Sequence, residues 1–232
     1  MERRDARWAG IAFLVYIVLT MTSTTMFGNV LGSGDIAQQL GDLTRMMSQA
    51  RVTVVLDLLQ VVCALVLAVT LFRLTKAVDA TVAMLAMMFR VGEGVLGASA
   101  LRGKLGLIWL ASSGGHAAPQ IDVNSMATYF LHEPDLRLAA FSFIIGGFLF
   151  AYLLLRGRLV PAVIAWIGVV TQGAQMVCVP LWIAGFIGAA PVNGLWMLIL
   201  AYEIPVGVWL MVRGVRPPVT APVTAPQLEV PA

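Results

Sequence analysis

The chain has 232 residues, of which 59% are hydrophobic and only 12% charged, with a formal net charge of +3. Soluble domains carry about 25% charged residues, so this composition excludes a soluble globular class. The length suits one compact bundle and not two soluble domains.

Six segments are long enough to cross a bilayer: residues 8–30, 52–72, 78–101, 136–155, 159–187 and 192–212. Each holds about 20 or more residues, which at 1.5 Å rise match a hydrocarbon core of about 30 Å. Backbone groups in lipid must pair within their own segment, so the segments are helices. No alternating apolar and polar runs of the β-barrel kind are visible. The expected fold is all-α: a polytopic membrane protein whose residues 1–214 form a six-helix transmembrane bundle.

The first segment follows Arg3, Arg4 and Arg7. This is the charged flank of a signal peptide, but no small-x-small cleavage pattern follows the apolar run, so the segment is expected to stay as an anchor. Between the first and second segments, Ile36, Leu40, Leu43, Met47 and Ala50 recur at helical spacing among Asp35, Gln39, Asp42 and Arg45. That pattern predicts a short amphipathic helix on the surface or capping the bundle. The connections 73–76 and 156–158 are very short and force antiparallel neighbours. The connection 102–135 is long and contains an apolar piece at 105–111, then Ser112-Ser113-Gly114-Gly115. A second short helix is expected from Asp122 to Leu131, before Pro134. Residues 215–232 carry Val-Thr-Ala-Pro twice and are expected to form a disordered, Pro-rich tail.

Basic residues set the orientation. Arg3, Arg4, Arg7, Arg73, Lys76, Arg156, Arg158, Arg213 and Arg216 fall on one side. Arg45, Arg51, Arg102, Lys104 and Arg137 fall on the other, spread over longer loops. The positive-inside rule then places both termini in the cytoplasm.

Several apparent motifs fail on context. Gly92-Glu93-Gly94-Val95-Leu96-Gly97 has the letters of a dinucleotide fingerprint but lies in mid-membrane, without the strand and βαβ unit that chemistry needs. Small residues at Gly94 and Ala98 instead let a second helix approach closely. Gly97-Ala98-Ser99-Ala100 lacks a histidine base at membrane depth, which an intramembrane serine protease requires. His132-Glu133-Pro134-Asp135 is not a zinc motif, since position 136 is Leu and Pro134 breaks the helix. His116, Asp122, His132, Glu133 and Asp135 read as a solvated loop. Cys63 and Cys178 lie in apolar segments and read as inert buried thiols. No cofactor and no metal site is expected.

What remains is a set of polar groups at membrane depth: Asp57 and Gln60 in the second span, Arg90 and Glu93 in the third, Gln172 and Gln175 in the fifth, and Glu203 in the sixth. A charge at the bilayer centre costs about 2.5–3.5 kcal/mol on insertion scales, so Arg90 needs an internal partner. At 1.5 Å per residue, all seven fall within a slab about 10 Å thick. The spacings 57/60, 90/93 and 172/175 each put two groups on one helix face. The expectation is one buried network with Arg90 as its hub and only cation, facing three carboxyls. Such an excess of carboxylate predicts either protonation or an accompanying cation. Pro180 and Pro205 each remove a helical hydrogen bond, and Pro205 follows Glu203 by two residues.

Three stretches carry a resemblance: Phe89-Arg90-Val91-Gly92-Glu93; Leu153-Leu154-Leu155-Arg156 with Leu159-Val160-Pro161; and Glu203 with Gly207-Val208-Trp209-Leu210 and Arg213-Gly214. Together they resemble the uncharacterised bacterial membrane family catalogued as domain of unknown function 4386, over about residues 8–214. The resemblance implies a bacterial six-helix protein of the inner cell membrane and supplies no activity, substrate or catalytic residue.

Three functions stay open at this point. The first is a small transporter that uses the buried carboxyls for a proton or small cation. The second is a non-catalytic membrane component that binds a partner protein or lipid, in a regulatory role. The third is an intramembrane enzyme acting on lipid, with Glu93 or Asp57 as base; a non-enzymatic role is expected over it. The bilayer is the expected partner, nucleic acid is not, and oligomeric state is open. A purely structural clamp also fits the buried network.

Overall fold

The structure is a computed structural model that describes residues 2–112, 122–131 and 135–215. Eight helices occur among these residues: α1 (Glu2–Leu31), α2 (Ile36–Arg45), α3 (Met47–Thr75), α4 (Ala80–Ser112), α5 (Val123–Leu131), α6 (Asp135–Arg156), α7 (Ala162–Ile183) and α8 (Ala189–Val212). Six of them, α1, α3, α4, α6, α7 and α8, are long and apolar enough to cross a membrane. The protein is therefore an all-helical, multi-pass membrane protein. Residues 216–232 of the expected tail 215–232, and His116, His132 and Glu133, lie outside the described residues.

The six long helices form a closed ring in chain order. Helix α1 packs on α3, α3 on α4, α4 on α6, α6 on α7, α7 on α8, and α8 returns to α1. Short links set the α3–α4, α6–α7 and α7–α8 neighbours, longer connections through α2 and α5 join α1 to α3 and α4 to α6, and glycine closes the ring. A Cβ on Gly10 would lie 2.5 Å from the backbone oxygen of Gly207 and 2.5 Å from the backbone nitrogen of Met211. Only glycine permits α1 and α8 to touch backbone to backbone. The start of α1 and the end of α8 lie at the same end of the ring, where Gly214 packs against Arg3 and Ala6.

That end is tied by two ion pairs. Arg73 lies 3.2 Å from Asp5, and Arg156 lies 3.1 Å from Asp79. Asp79 also caps α4, accepting a hydrogen bond from the Val82 backbone N–H at 3.1 Å. This bond, with the Arg156 guanidinium beside it, holds the Asp79 carboxyl below its usual range. Helix α6 ends in a Schellman turn. The Leu159 N–H bonds the Leu154 carbonyl at 3.0 Å and the Arg158 N–H bonds that of Leu155 at 3.1 Å. The left-handed position, usually glycine, is Arg158 at φ 52°. Gly157 is needed one place earlier, because a Cβ there would meet Val78 at 2.5 Å.

The opposite end differs from the sequence expectation. The expected amphipathic helix over 36–50 is split at Met46, which ends α2 and starts α3. The third span does not stop at 101 but continues to Ser112, so the apolar piece 105–111 is helix and not loop. It continues because Leu107, Ile108, Leu110 and Ala111 bury against Val30, Leu43, Ala50 and Ala127 in a cap built by α2 and α5. The ring is apolar on its outside: Val18, Met88, Val163, Val170 and Met197 are all more than half exposed. The charged groups at mid-depth, Arg90, Glu93 and Glu203, turn inward, the inverse of a soluble bundle.

Candidate functional site

Arg90 and Glu93 are three residues apart on α4 and share the face that looks into the ring. Arg90 is 2% exposed and Glu93 7%. The guanidinium NH1 lies 2.8 Å from Glu93 Oε2. Glu93 Oε1 accepts a hydrogen bond from the Tyr16 hydroxyl of α1 at 2.7 Å. The guanidinium carbon sits 4.7 Å from the centre of the Phe143 ring and 5.6 Å from that of Tyr16. Aromatic faces thus complete the cation's surroundings where no second carboxylate touches it. Phe143 in turn packs on Tyr16 and on Trp196 of α8.

Paired glycines on α6 make room for this arrangement. A Cβ on Gly146 would lie 2.8 Å from Arg90 Cγ, and one on Gly147 would overlap the Gln172 side-chain amide. Side chains from α4 and α7 therefore lie directly against the α6 backbone. Gly168 of α7 does the same for the Tyr202 ring of α8. Gln175 donates to the Val192 carbonyl at 3.2 Å, tying α7 to the first turns of α8. Four polar atoms in this interior, Arg90 Nε, Glu93 Oε2, Gln172 Oε1 and Gln175 Oε1, are buried with no hydrogen-bond partner among the described residues, Glu93 Oε2 having only its ion-pair contact with Arg90.

Glu203 on α8 is 4% exposed. It lies near enough to feel the charges of Arg90 and Glu93, yet no hydrogen bond or ion pair among the described residues holds its carboxyl. Pro205 lies inside the same helix, two residues on.

Asp57 does not belong to this centre. Counting from the terminal end of each helix, Arg90, Gln172 and Glu203 lie about 14–15 Å in, Glu93 and Gln175 about 20 Å, and Gln60 about 22 Å. Asp57 lies about 27 Å in. Its carboxylate Oδ2 pairs with Lys104 Nζ at 2.5 Å, and Oδ1 accepts from the Ser23 hydroxyl at 2.5 Å. Lys104 also donates to Ser23 Oγ at 3.1 Å and stands 4.6 Å from the Phe27 ring centre. The expected single network is thus two layers, and Arg90 is not its only cation. Lys104 reads as a loop residue only if the third span ends at 101; the continued α4 carries it back over Asp57. Gln60 is half-buried and makes no hydrogen bond among the described residues.

Sequence reasoning missed Tyr16, Ser23, Phe143, Tyr202 and Lys104. Their signal is helical spacing. Tyr16, Thr20 and Ser23 recur at intervals of four and three on α1, and Glu93, Gly97 and Lys104 share a face of α4. The fingerprint glycine Gly94 does serve close packing, facing Leu65 and Val61 of α3. Asp122 is occupied in capping α5 through Ser125 and the Asn124 N–H. Among the described residues no group of three His, Cys, Asp or Glu side chains could hold a metal ion.

The family described as Domain of unknown function (DUF4386) matches residues 8–214, from within α1 to just past the end of α8. The chain belongs to this family. No curated protein and no solved structure matches it.

Proposed function

We propose that this member of the DUF4386 family is a small proton-linked transporter, with Glu203 as the exchanging carboxyl. The observation that carries the reading is the charge inventory of the sealed centre. One cation, Arg90, faces two carboxyls, Glu93 and Glu203, and its 2.8 Å contact goes to Glu93. An isolated carboxylate in an apolar interior is far costlier than the neutral acid, so Glu203 enters the sealed state carrying a proton or beside a small cation. Pro205 removes the hydrogen bond to the Ala201 carbonyl, across the turn that holds Glu203, which supplies a hinge for exposing the carboxyl. The exposed basic rim of Arg3, Arg4, Arg7, Lys76, Arg158 and Arg213 at the end where α1 starts and α8 finishes supports cytoplasmic termini.

The test is Glu203→Gln in proteoliposomes containing a pH-sensitive dye. The amide keeps the shape and a donor hydrogen of the neutral acid. Proton flux should be lost with the melting temperature unchanged. Retained flux in the variant, or no flux in the wild type under an imposed pH gradient, would overturn the proposal. Unfolding made easier by about 3 kcal/mol or more would instead make Glu203 an ionised structural partner of Arg90.

A further inference from the structure

The geometry points to a water- and proton-accessible conduit running from the Asp57–Lys104 pair down the α1–α3–α4 seam to Glu93, with that ion pair as its outer lock. This rests on the proton-linked reading above and assigns the side from which the centre is reached, namely the end away from the termini.

Register places the conduit. Helices α1 and α3 run antiparallel, and Ser23 meets Asp57 across their seam. Stepping inward on both helices, Thr20 then stands at the level of Gln60, and Tyr16 at the level of Ala64. Tyr16 and Ala64 do pack in one cluster, as this register requires. Thr20, whose hydroxyl donates to the Tyr16 carbonyl at 2.8 Å, and Gln60 therefore stand at one level between the outer ion pair and the Tyr16–Glu93 hydrogen bond.

The third wall is α4, whose Glu93, Gly97 and Lys104 share one face. Gly97 sits at the level between the two charged layers, and a Cβ built on it meets no atom within 4 Å. Polar groups on two helices thus border unfilled space on the third, and a polar site of that kind holds water where a dry apolar void would not. The groups that bear on Glu93 are Tyr16 from α1, Arg90 from its own helix, and Glu203 from α8; Asp57 and Lys104 bear on the outer mouth. At the mouth, the Ser23 hydroxyl has one hydrogen. It donates to Asp57 and accepts from Lys104, so three helices are joined through one oxygen. Opening requires that Lys104 leave. Its stem is long enough to swing outward, because it enters the site from a helix that extends beyond it.

The test is accessibility, read independently of transport. In a background with Cys63 and Cys178 replaced by alanine, Thr20→Cys is exposed to a small cationic methanethiosulfonate added at the loop end. Such a reagent does not partition into lipid. Adding Lys104→Gln should raise the labelling rate about tenfold, equivalent to about 1.4 kcal/mol of lost closure. Asp57→Asn, which keeps the shape of the carboxyl, should do the same if Lys104→Gln fails to fold. Gly97→Leu, which fills the space without touching a charge, should return labelling to the starting rate. Unchanged labelling in both unlocked variants, or no effect of Gly97→Leu, overturns the conduit. Proton flux measured on the same preparations separates the two ideas. Flux with an unreactive Thr20→Cys refutes the conduit alone, and a reactive Thr20→Cys with no wild-type flux refutes the transporter reading alone.

Discussion

Replacing Arg90 with methionine removes the only cation that the described residues place at the centre of the ring. The side chain is 2% exposed, its NH1 lies 2.8 Å from Glu93, and two aromatic rings cover its remaining face. Methionine fills most of the volume over Gly146, so cavity formation contributes little and the electrostatic loss dominates. Breaking a buried pair by removing one partner costs about 3–5 kcal/mol. In a chain of this size each kcal/mol shifts the melting temperature by about 2–4 °C, so a fall of about 6–20 °C is expected. Glu93→Gln alone keeps the Tyr16 hydrogen bond and leaves Arg90 near Glu203; it should cost less than Arg90→Met. The double variant removes both charges. Replacing a buried pair outright is often close to neutral, so it should be more stable than Arg90→Met, with a coupling of at least about 2 kcal/mol. Thermal unfolding of the four proteins in one detergent closes the cycle. Effects that add to within about 0.5 kcal/mol would refute the pairing and reduce Arg90 to a packing residue.

Three more outcomes are expected. Gly10→Ala should destabilise by at least about 2 kcal/mol, because its Cβ meets the backbone of α8 and cannot be accommodated by a rotamer change; Gly41→Ala in α2, which meets open space, should be neutral or gain about 0.5–1 kcal/mol. Both are read from melting curves, and equal effects would contradict the closed α1–α8 contact. Asp79→Ala should lower stability at neutral pH. The Asp79 carboxyl is depressed in the folded state, so its contribution is present above the ordinary carboxylate range and is lost as pH falls through the folded value. The gap between wild type and variant should therefore close on acidification, and a gap that widens would reverse the assignment. Finally, cysteine at the exposed Ser33 should react with an impermeant thiol reagent in intact cells and cysteine at the exposed Lys76 should not; the opposite pattern would invert the proposed orientation.

The six spans, their all-helical character and the amphipathic capping segment were legible in the sequence for a local reason. Helical hydrogen bonds join residues four apart, and the bilayer sets the length of each apolar run. The Arg90–Glu93 pair was legible on the same ground, since residues three apart on one helix meet whatever the helix packs against. The α4 terminus was not. Whether residues 102–112 continue a helix depends on the cap that α2 and α5 build over Leu107 and Leu110. From that one extension follows the largest revision, in which Lys104 takes Asp57 out of the central network and leaves Glu203 as the carboxyl without a partner. Tyr16, Phe143 and the Gly146–Gly147 bed of Arg90 and Gln172 were hidden as well. A tyrosine or a glycine in an apolar run carries no sign of which neighbour it will face. Only the closure of the ring, which fixes the register of α1, α4 and α6 against one another, brings them to a single charge.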